Sequence, residues 1–229
     1  MKRALLLFML LGVAHAGSVE RVQQVRFSPD GARVMVASEI IHDARDIDEF
    51  YLRVLDTQTG RLLWQAHHEG AEGQRLPPDW LLKRSQGKLT ALGIGDKASQ
   101  ARFNVLSRDL TPPLGIEGGV LAGQSTTYPV KLWTQPVVIK LSASNSQRPH
   151  CPKDLKVWLD EAELVPADFA VTAGNRLVTR QPSSAECTFG YGLKRVDVQG
   201  NRALFSIAAY SPGVEGPTVT LEFVAATLK

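Results

Sequence analysis

The feature that most constrains this chain is a period of two in its apolar residues, cut at short intervals by turn-forming clusters. It is clearest between Arg21 and Ala66. Val22, Val25 and Phe27 run into Ser28-Pro29-Asp30-Gly31, where Pro presets φ and Gly accepts a positive one. Val34, Val36 and Ile40-Ile41 form the return run, the polar stretch His42 to Asp48 follows, and Phe50, Leu52, Val54 and Leu55 make a third run. Asp56-Thr57-Gln58-Thr59-Gly60 is the next turn, and Leu62, Leu63 and Trp64 open a fourth. Successive side chains of a strand point to opposite faces, so alternation with these turns predicts four antiparallel strands in succession.

The same pattern resumes after Gly123. Candidate strands are Pro129–Trp133, Val137–Ala143, Leu155–Leu159, Phe169–Thr172, Arg176–Arg180, Leu193–Val198, Ala203–Tyr210 and Thr218–Ala225, mostly separated by Gly, Pro, Asn and Ser. Leu76 to Gly93 differs. Asp79, after Pro77-Pro78, suits an N-cap, and Leu81, Ser85, Leu89 and Leu92 share one helical face. Gly93 suits the C-terminal cap, while Gly87 weakens the helix by up to about 1 kcal/mol. Gly93 to Gly123 reads as loop with short strands. The expected fold class is mainly β: antiparallel sheets, sandwich-like or a partly open barrel, plus one short amphipathic helix that packs on a sheet.

The N-terminus addresses the compartment. Lys2 and Arg3 precede an uncharged run from Ala4 to Val13, and Ala14-His15-Ala16-Gly17 follows. A basic start, a short apolar run and a small-x-small site make a signal peptide, with cleavage expected after Ala16. Crossing a bilayer as a helix takes about 20 apolar residues, more than this run supplies. No later run is long enough either, so no transmembrane anchor is expected in the mature chain. Residues 1–16 are thus expected to be a leader and 17–229 one exported domain, secreted or periplasmic. Within it, 17–75, 76–123 and 124–229 are candidate sub-divisions. Two of the 26 Lys and Arg lie in the leader, leaving 24 against 23 Asp and Glu. With no basic cluster or aromatic-interleaved basic stripe, nucleic acid is not an expected partner.

Cys151 and Cys187 are the two cysteines, both in the mature part. In an oxidising compartment an isolated pair reads first as a disulfide, with free thiols second. The chain-entropy stabilisation for such a loop is about 4 kcal/mol. A metal site with His150 fails on spacing, since no C-x-x-C or H-x-x-x-H partner is present.

The remaining motifs have bland readings beside the functional ones. Ser85-Gln86-Gly87-Lys88 matches S-x-x-K but lacks the companion Lys-Thr-Gly strand and Ser-Asp-Asn-like loop, and Gly123-Gln124-Ser125 lacks the second Gly of a nucleophile elbow. Asp43, Asp46, Asp48 and Glu49 could offer oxygens to Ca²⁺, but without the Gly and spacing of a known loop they read as a solvated hairpin connection. His67-His68-Glu69 reads as a polar loop; on a strand the two imidazoles would face opposite ways. Trp64, Trp80, Trp133 and Trp158 each sit among apolar neighbours, which points to core packing. Glu215, in the turn Gly213-Val214-Glu215-Gly216-Pro217, is the best single candidate for a functional carboxylate, against a hairpin-cap role. No catalytic residue, metal ligand or cofactor is expected.

Two resemblances follow from these residues. "VRFSPDGARVMVAS" and "LRVLDTQTGRLLWQ" resemble the paired-strand phrasing of β-propeller blades in the translocation-protein-B-like and tryptophan–aspartate-repeat families. One clear copy is present, with a distant echo in "VDVQGNRALFSIAAY", whereas a propeller repeats its unit of about 40 residues at least four times. The order of features over most of the mature chain is similar to that of a family of predicted secreted bacterial proteins catalogued as a domain of unknown function. "CPKDLKVWLDEAELVP" and "CTFGYGLKRVDVQGNRALFSIAAYSPGVEGP" carry it, with Val214 standing where an aromatic is expected. The resemblance implies export and this architecture, and no activity. The expected role is an envelope protein that binds or scaffolds an unknown envelope protein or ligand; the alternative is an exported hydrolase whose catalytic groups meet only in three dimensions.

Overall fold

The computed structural model describes residues 18–42, 48–70, 79–95, 98–100, 102–105, 119–131, 137–146, 165–182, 187–212 and 218–228. In chain order they form β1 (Ser18–Phe27), β2 (Arg33–His42), β3 (Asp48–Asp56), β4 (Leu62–Glu69), α1 (Trp80–Ala91), β5 (Ser99–Gln100), β6 (Arg102–Val105), β7 (Gly119–Leu121) and β8 (Ser125–Val130). β9 (Val137–Asn145), β10 (Ala167–Ala173), β11 (Arg176–Pro182), β12 (Gly190–Gln199), β13 (Arg202–Ser211) and β14 (Thr218–Thr227) complete them. The candidate strand Leu155–Leu159, Trp133, Trp158, Cys151, Glu215, Asp43 and Asp46 lie outside the described residues.

One sheet runs β4-β3-β2-β1-β14-β13-β12-β6, with β5 attached to β1 and β7 to β12, and the second runs β11-β10-β9-β8. Among the described residues the chain is mainly β with one short helix, as its periodicity predicts, and the large sheet stays open rather than closing into a barrel. The second sheet packs on β12–β14 as a sandwich. Ile139, Leu141, Phe169 and Val171 meet Tyr191, Val196, Phe205 and Ile207 there, all buried. The Tyr191 hydroxyl donates to the Ala167 carbonyl at 2.7 Å, and its ring lies 4.9 Å from that of Phe169. β13 is buried on both faces, which accounts for its unbroken apolar run: Ala203, Phe205, Ile207 and Ala209 enter this core, while Ala208 and Tyr210 pack with Phe189, Val219 and Leu221.

The N-terminal meander β1–β4 joins this body through a parallel contact, Val19 beside Val219. β1 then parts from β14, and its far end, Arg26 and Phe27, pairs with β5. Val25, Phe27, Val34, Val36 and Leu55 pack there against Leu204 and Ala225, filling the wedge between the diverging strands. The opposite face of the meander, with Met35, Ala37, Phe50, Leu52 and Val54, is covered by Leu81 and Leu89 of α1 and by Ile94.

Two local expectations need correction. Asp79 holds the N-cap position of α1, yet its side chain bonds no backbone amide; it pairs with Lys83 at 2.6 Å on an exposed surface. The strand expected at Pro129–Trp133 begins four residues earlier, at Ser125, because Ser125-Thr126-Thr127 already pair with β9. The other end of α1 follows expectation: Gly93, at φ 75, donates to Thr90 and Ile94 donates to Leu89, closing the helix with a left-handed residue.

Candidate functional site

A strand face that is apolar at one end can be polar at the other, and β1–β4 show this on the face turned away from α1. The side of β2 and β3 that buries Val34, Val36 and Leu55 carries Ser38 and His42 on β2, and Arg53, Tyr51 and Glu49 on β3. Cross-strand register adds His67, opposite Tyr51, and Ser18, opposite His42. Two connected polar groups result.

The inner group centres on Glu20, which is 4% exposed. Its Oε1 accepts from Ser38 Oγ and Arg53 Nη1, each at 2.6 Å, and Arg53 also donates to Ser38 Oγ at 2.9 Å. Its Oε2 accepts from the Leu221 amide at 2.8 Å. Leu221 lies just beyond the point where β1 stops pairing with β14, so the Glu20 carboxylate satisfies an amide that the diverging backbone leaves without a ladder partner. The Arg53 guanidinium lies 4.5 Å from the Tyr51 ring and 5.2 Å from that of Phe223.

The outer group centres on Glu49 and reaches solvent. Its Oε1 is 2.7 Å from His42 Nε2; its Oε2 accepts from Tyr51 at 2.8 Å and lies 3.0 Å from His67 Nε2. The Tyr51 and His67 rings stack at 4.4 Å. Side-chain exposure is 18% for Glu49, 20% for His42 and 39% for His67, so the group is open on one side. Burial by itself raises the Glu49 pKa, but hydrogen bonds from Tyr51, His42 and His67 outweigh it and hold the carboxyl below its ordinary value. Burial, then the bond to Glu49, pushes Tyr51 up to about 12. The other ring nitrogen of His42, Nδ1, lies 2.6 Å from Ser18 Oγ. The result is a continuous Ser18–His42–Glu49 chain. Among the described residues no group of three or more His, Cys, Asp or Glu side chains is disposed to hold a metal ion.

The sequence-level candidates fall unevenly around this site. Glu49, read as part of a solvated connection, is instead on β3 at the centre of the outer group. His67 and His68, read as a polar loop, are on β4, and they do face opposite ways: His67 stacks on Tyr51, while His68 meets the Trp80 ring at a tilt. Ser85 is buried on the core face of α1. Trp64 and Trp80 pack against the core that α1 covers. Glu215 lies outside the described residues; Ser211 at the end of β13 and Thr218 at the start of β14 are paired, and Val219 sits beside Val19. That end of the β13–β14 ladder is therefore the end at which Ser18 and His42 lie. Cys187 is buried just ahead of β12. Sequence reading missed Glu20, Arg53, Ser18, His42 and Tyr51 as site residues; the signal was there in Glu49, Tyr51 and Arg53, polar at every second position of one strand.

No curated protein matches this chain. Among the described residues no helix is long and apolar enough to cross a membrane. A family model matches residues 51–229, a segment that takes in Tyr51, Arg53 and His67 of the site and both cysteines. The chain belongs to the family described as predicted secreted protein (DUF2259).

Proposed function

We propose that this chain is an exported, non-catalytic binding protein of the bacterial envelope, freed of its leader after Ala16, and that the outer polar group around Glu49 is where its ligand docks. The carrying observation is that Glu49 is held ionised by three donors while remaining partly open to solvent. Side chains fixed by strand backbones and by one another lose little freedom on binding. An anionic carboxylate next to a Tyr51–His67 stack favours a polar ligand with a donor or cationic group and a flat face. Export is supported by the leader pattern and by the family's description. A Cys151–Cys187 bridge belongs to the same reading, supported by the pair's isolation in the sequence and by the burial of Cys187 beside β12. The test compares what immobilised wild-type protein and a Glu49→Gln variant retain from envelope extract. Retention that falls in the variant is expected; equal retention contradicts the assignment.

A second reading, an exported hydrolase, is favoured by one observation, the Ser18–His42–Glu49 chain. It ranks second because Ser18 and His42 are directly opposed across the β1–β2 ladder, and that register alone brings them into contact. Labelling by a fluorophosphonate probe that disappears in Ser18→Ala would establish it. No labelling, together with Glu49-dependent retention, is the outcome expected of the binding protein.

A further inference from the structure

Each oxygen of the Glu49 carboxylate ends on an imidazole: Oε1 meets Nε2 of His42, on β2, and Oε2 meets Nε2 of His67, on β4. The two rings thus reach the carboxylate from opposite sides of β3, and both are partly open to solvent. Cross-strand register sets which other titratable or charged groups face them. Glu69 stands opposite Glu49, Tyr51 stands opposite His67, and the Glu20–Arg53 ion pair lies farther along the same face. With both imidazoles neutral, the open end of this face presents the negative charge of Glu49 and Glu69, since Arg53 is matched by Glu20. A neutral imidazole has one N–H and one lone pair, whereas an imidazolium donates from both nitrogens. Whichever tautomer each ring holds when neutral, protonation makes both Nε2 atoms donors to Glu49 and sets two positive charges against it.

We infer, resting on the docking role of Glu49 proposed above, that this site is switched by protons: it admits a cationic ligand while His42 and His67 are neutral and releases it when both are protonated. Imidazoles exchange a proton between about pH 5 and 8. Glu49, held below its ordinary carboxyl value, stays ionised through that range, and Tyr51, raised to about 12, keeps its proton. The change of charge therefore falls on the two rings. As imidazolium ions they occupy the carboxylate that the ligand's cation would otherwise meet, and they repel that cation. The switch requires no movement of backbone, because the β2–β3 and β3–β4 ladders already hold both rings at Glu49.

Benzamidinium, a flat amidinium ion whose own charge is constant over this range, is the probe. Its dissociation constant on the exported chain is read from NMR shifts of the β3 amides at about pH 7.5 and about pH 5.5, on either side of imidazole titration. Wild type should bind at least about tenfold more weakly at the lower pH. In the His42→Asn, His67→Asn double variant the ratio of the two constants should approach unity, whatever its absolute affinity. Glu49→Gln should bind at neither pH, and melting of each variant at both pH values checks that the fold is retained. Wild type with equal, Glu49-dependent affinity at both pH values, or a folded double variant that keeps the wild-type ratio, overturns the switch and leaves the docking role of Glu49 in place. No binding at either pH, or binding unaffected by Glu49→Gln, overturns that docking role and the switch with it.

Discussion

Arg53 reaches across from β3 to place its Nη1 2.6 Å from Oε1 of Glu20 on β1, two strands away, and so joins the meander to the β14 amide that Glu20 holds. Glu20 is almost wholly buried and Arg53 largely so. Removing one partner leaves the other charge in a low-dielectric wedge. Arg53→Ala should therefore cost about 3 kcal/mol in denaturant unfolding, more than Lys83→Ala in the exposed pair with Asp79, which should change stability by well under 1 kcal/mol.

Glu49 and Tyr51 bound the pH range from opposite sides. The Glu49 pKa is lower folded than its ordinary 4.5, so its contribution is present above that value and disappears as pH falls through the folded pKa. Tyr51 is raised from 10.0 to about 12, so its contribution is complete below the lower value and is lost as pH rises between the two. Melting followed against pH should lose part of its acid limb in Glu49→Gln. In Tyr51→Phe the alkaline limb should flatten, less completely because burial also raises Tyr210.

The sandwich between the sheets depends on packing more than on its polar bond. Tyr191→Phe removes the donor to the Ala167 carbonyl and should cost about 1 kcal/mol. Phe205→Ala, at a fully buried position of the same core, should cost about 3–5 kcal/mol by opening a cavity. Urea unfolding of the two variants measures both.

The proposed Cys151–Cys187 bridge predicts one linked peptide under non-reducing digestion and no alkylatable thiol in protein taken from an oxidising compartment. Reduction should lower stability by a few kcal/mol and leave the sheets intact. Two reactive thiols in freshly exported protein would remove the bridge from the account.

Much of this fold was legible because strands announce themselves locally. Val34, Val36, Phe50, Leu52 and Val54 alternate, and Ser28-Pro29-Asp30-Gly31 and Asp56 to Gly60 close their hairpins where expected. Nothing local says that β1 will lie parallel to β14, some two hundred residues away, or that it will part from it after one contact. That pairing is a long-range event, and Glu20 acquires its meaning only through it. The site was half legible. Glu49, Tyr51 and Arg53 mark a polar face by their spacing, but His42 was read as the first residue of a loop and Ser18 as lying just past a leader. Only the β1–β2 register brings those two together. The two histidines of β4 were correctly expected to diverge if on a strand; what misled was the polar composition, which an edge strand tolerates.

The most direct test of the proposed binding end is hydrogen–deuterium exchange on the protein with and without the fraction of envelope extract that it retains. Peptides from β1, β2 and β3 that contain Ser18, His42, Glu49 and Tyr51 should gain protection, and the β10–β11 hairpin should not. Protection confined to β8–β11, or none anywhere while the ligand remains bound, would contradict the assignment of Glu49 and its neighbours as the binding site.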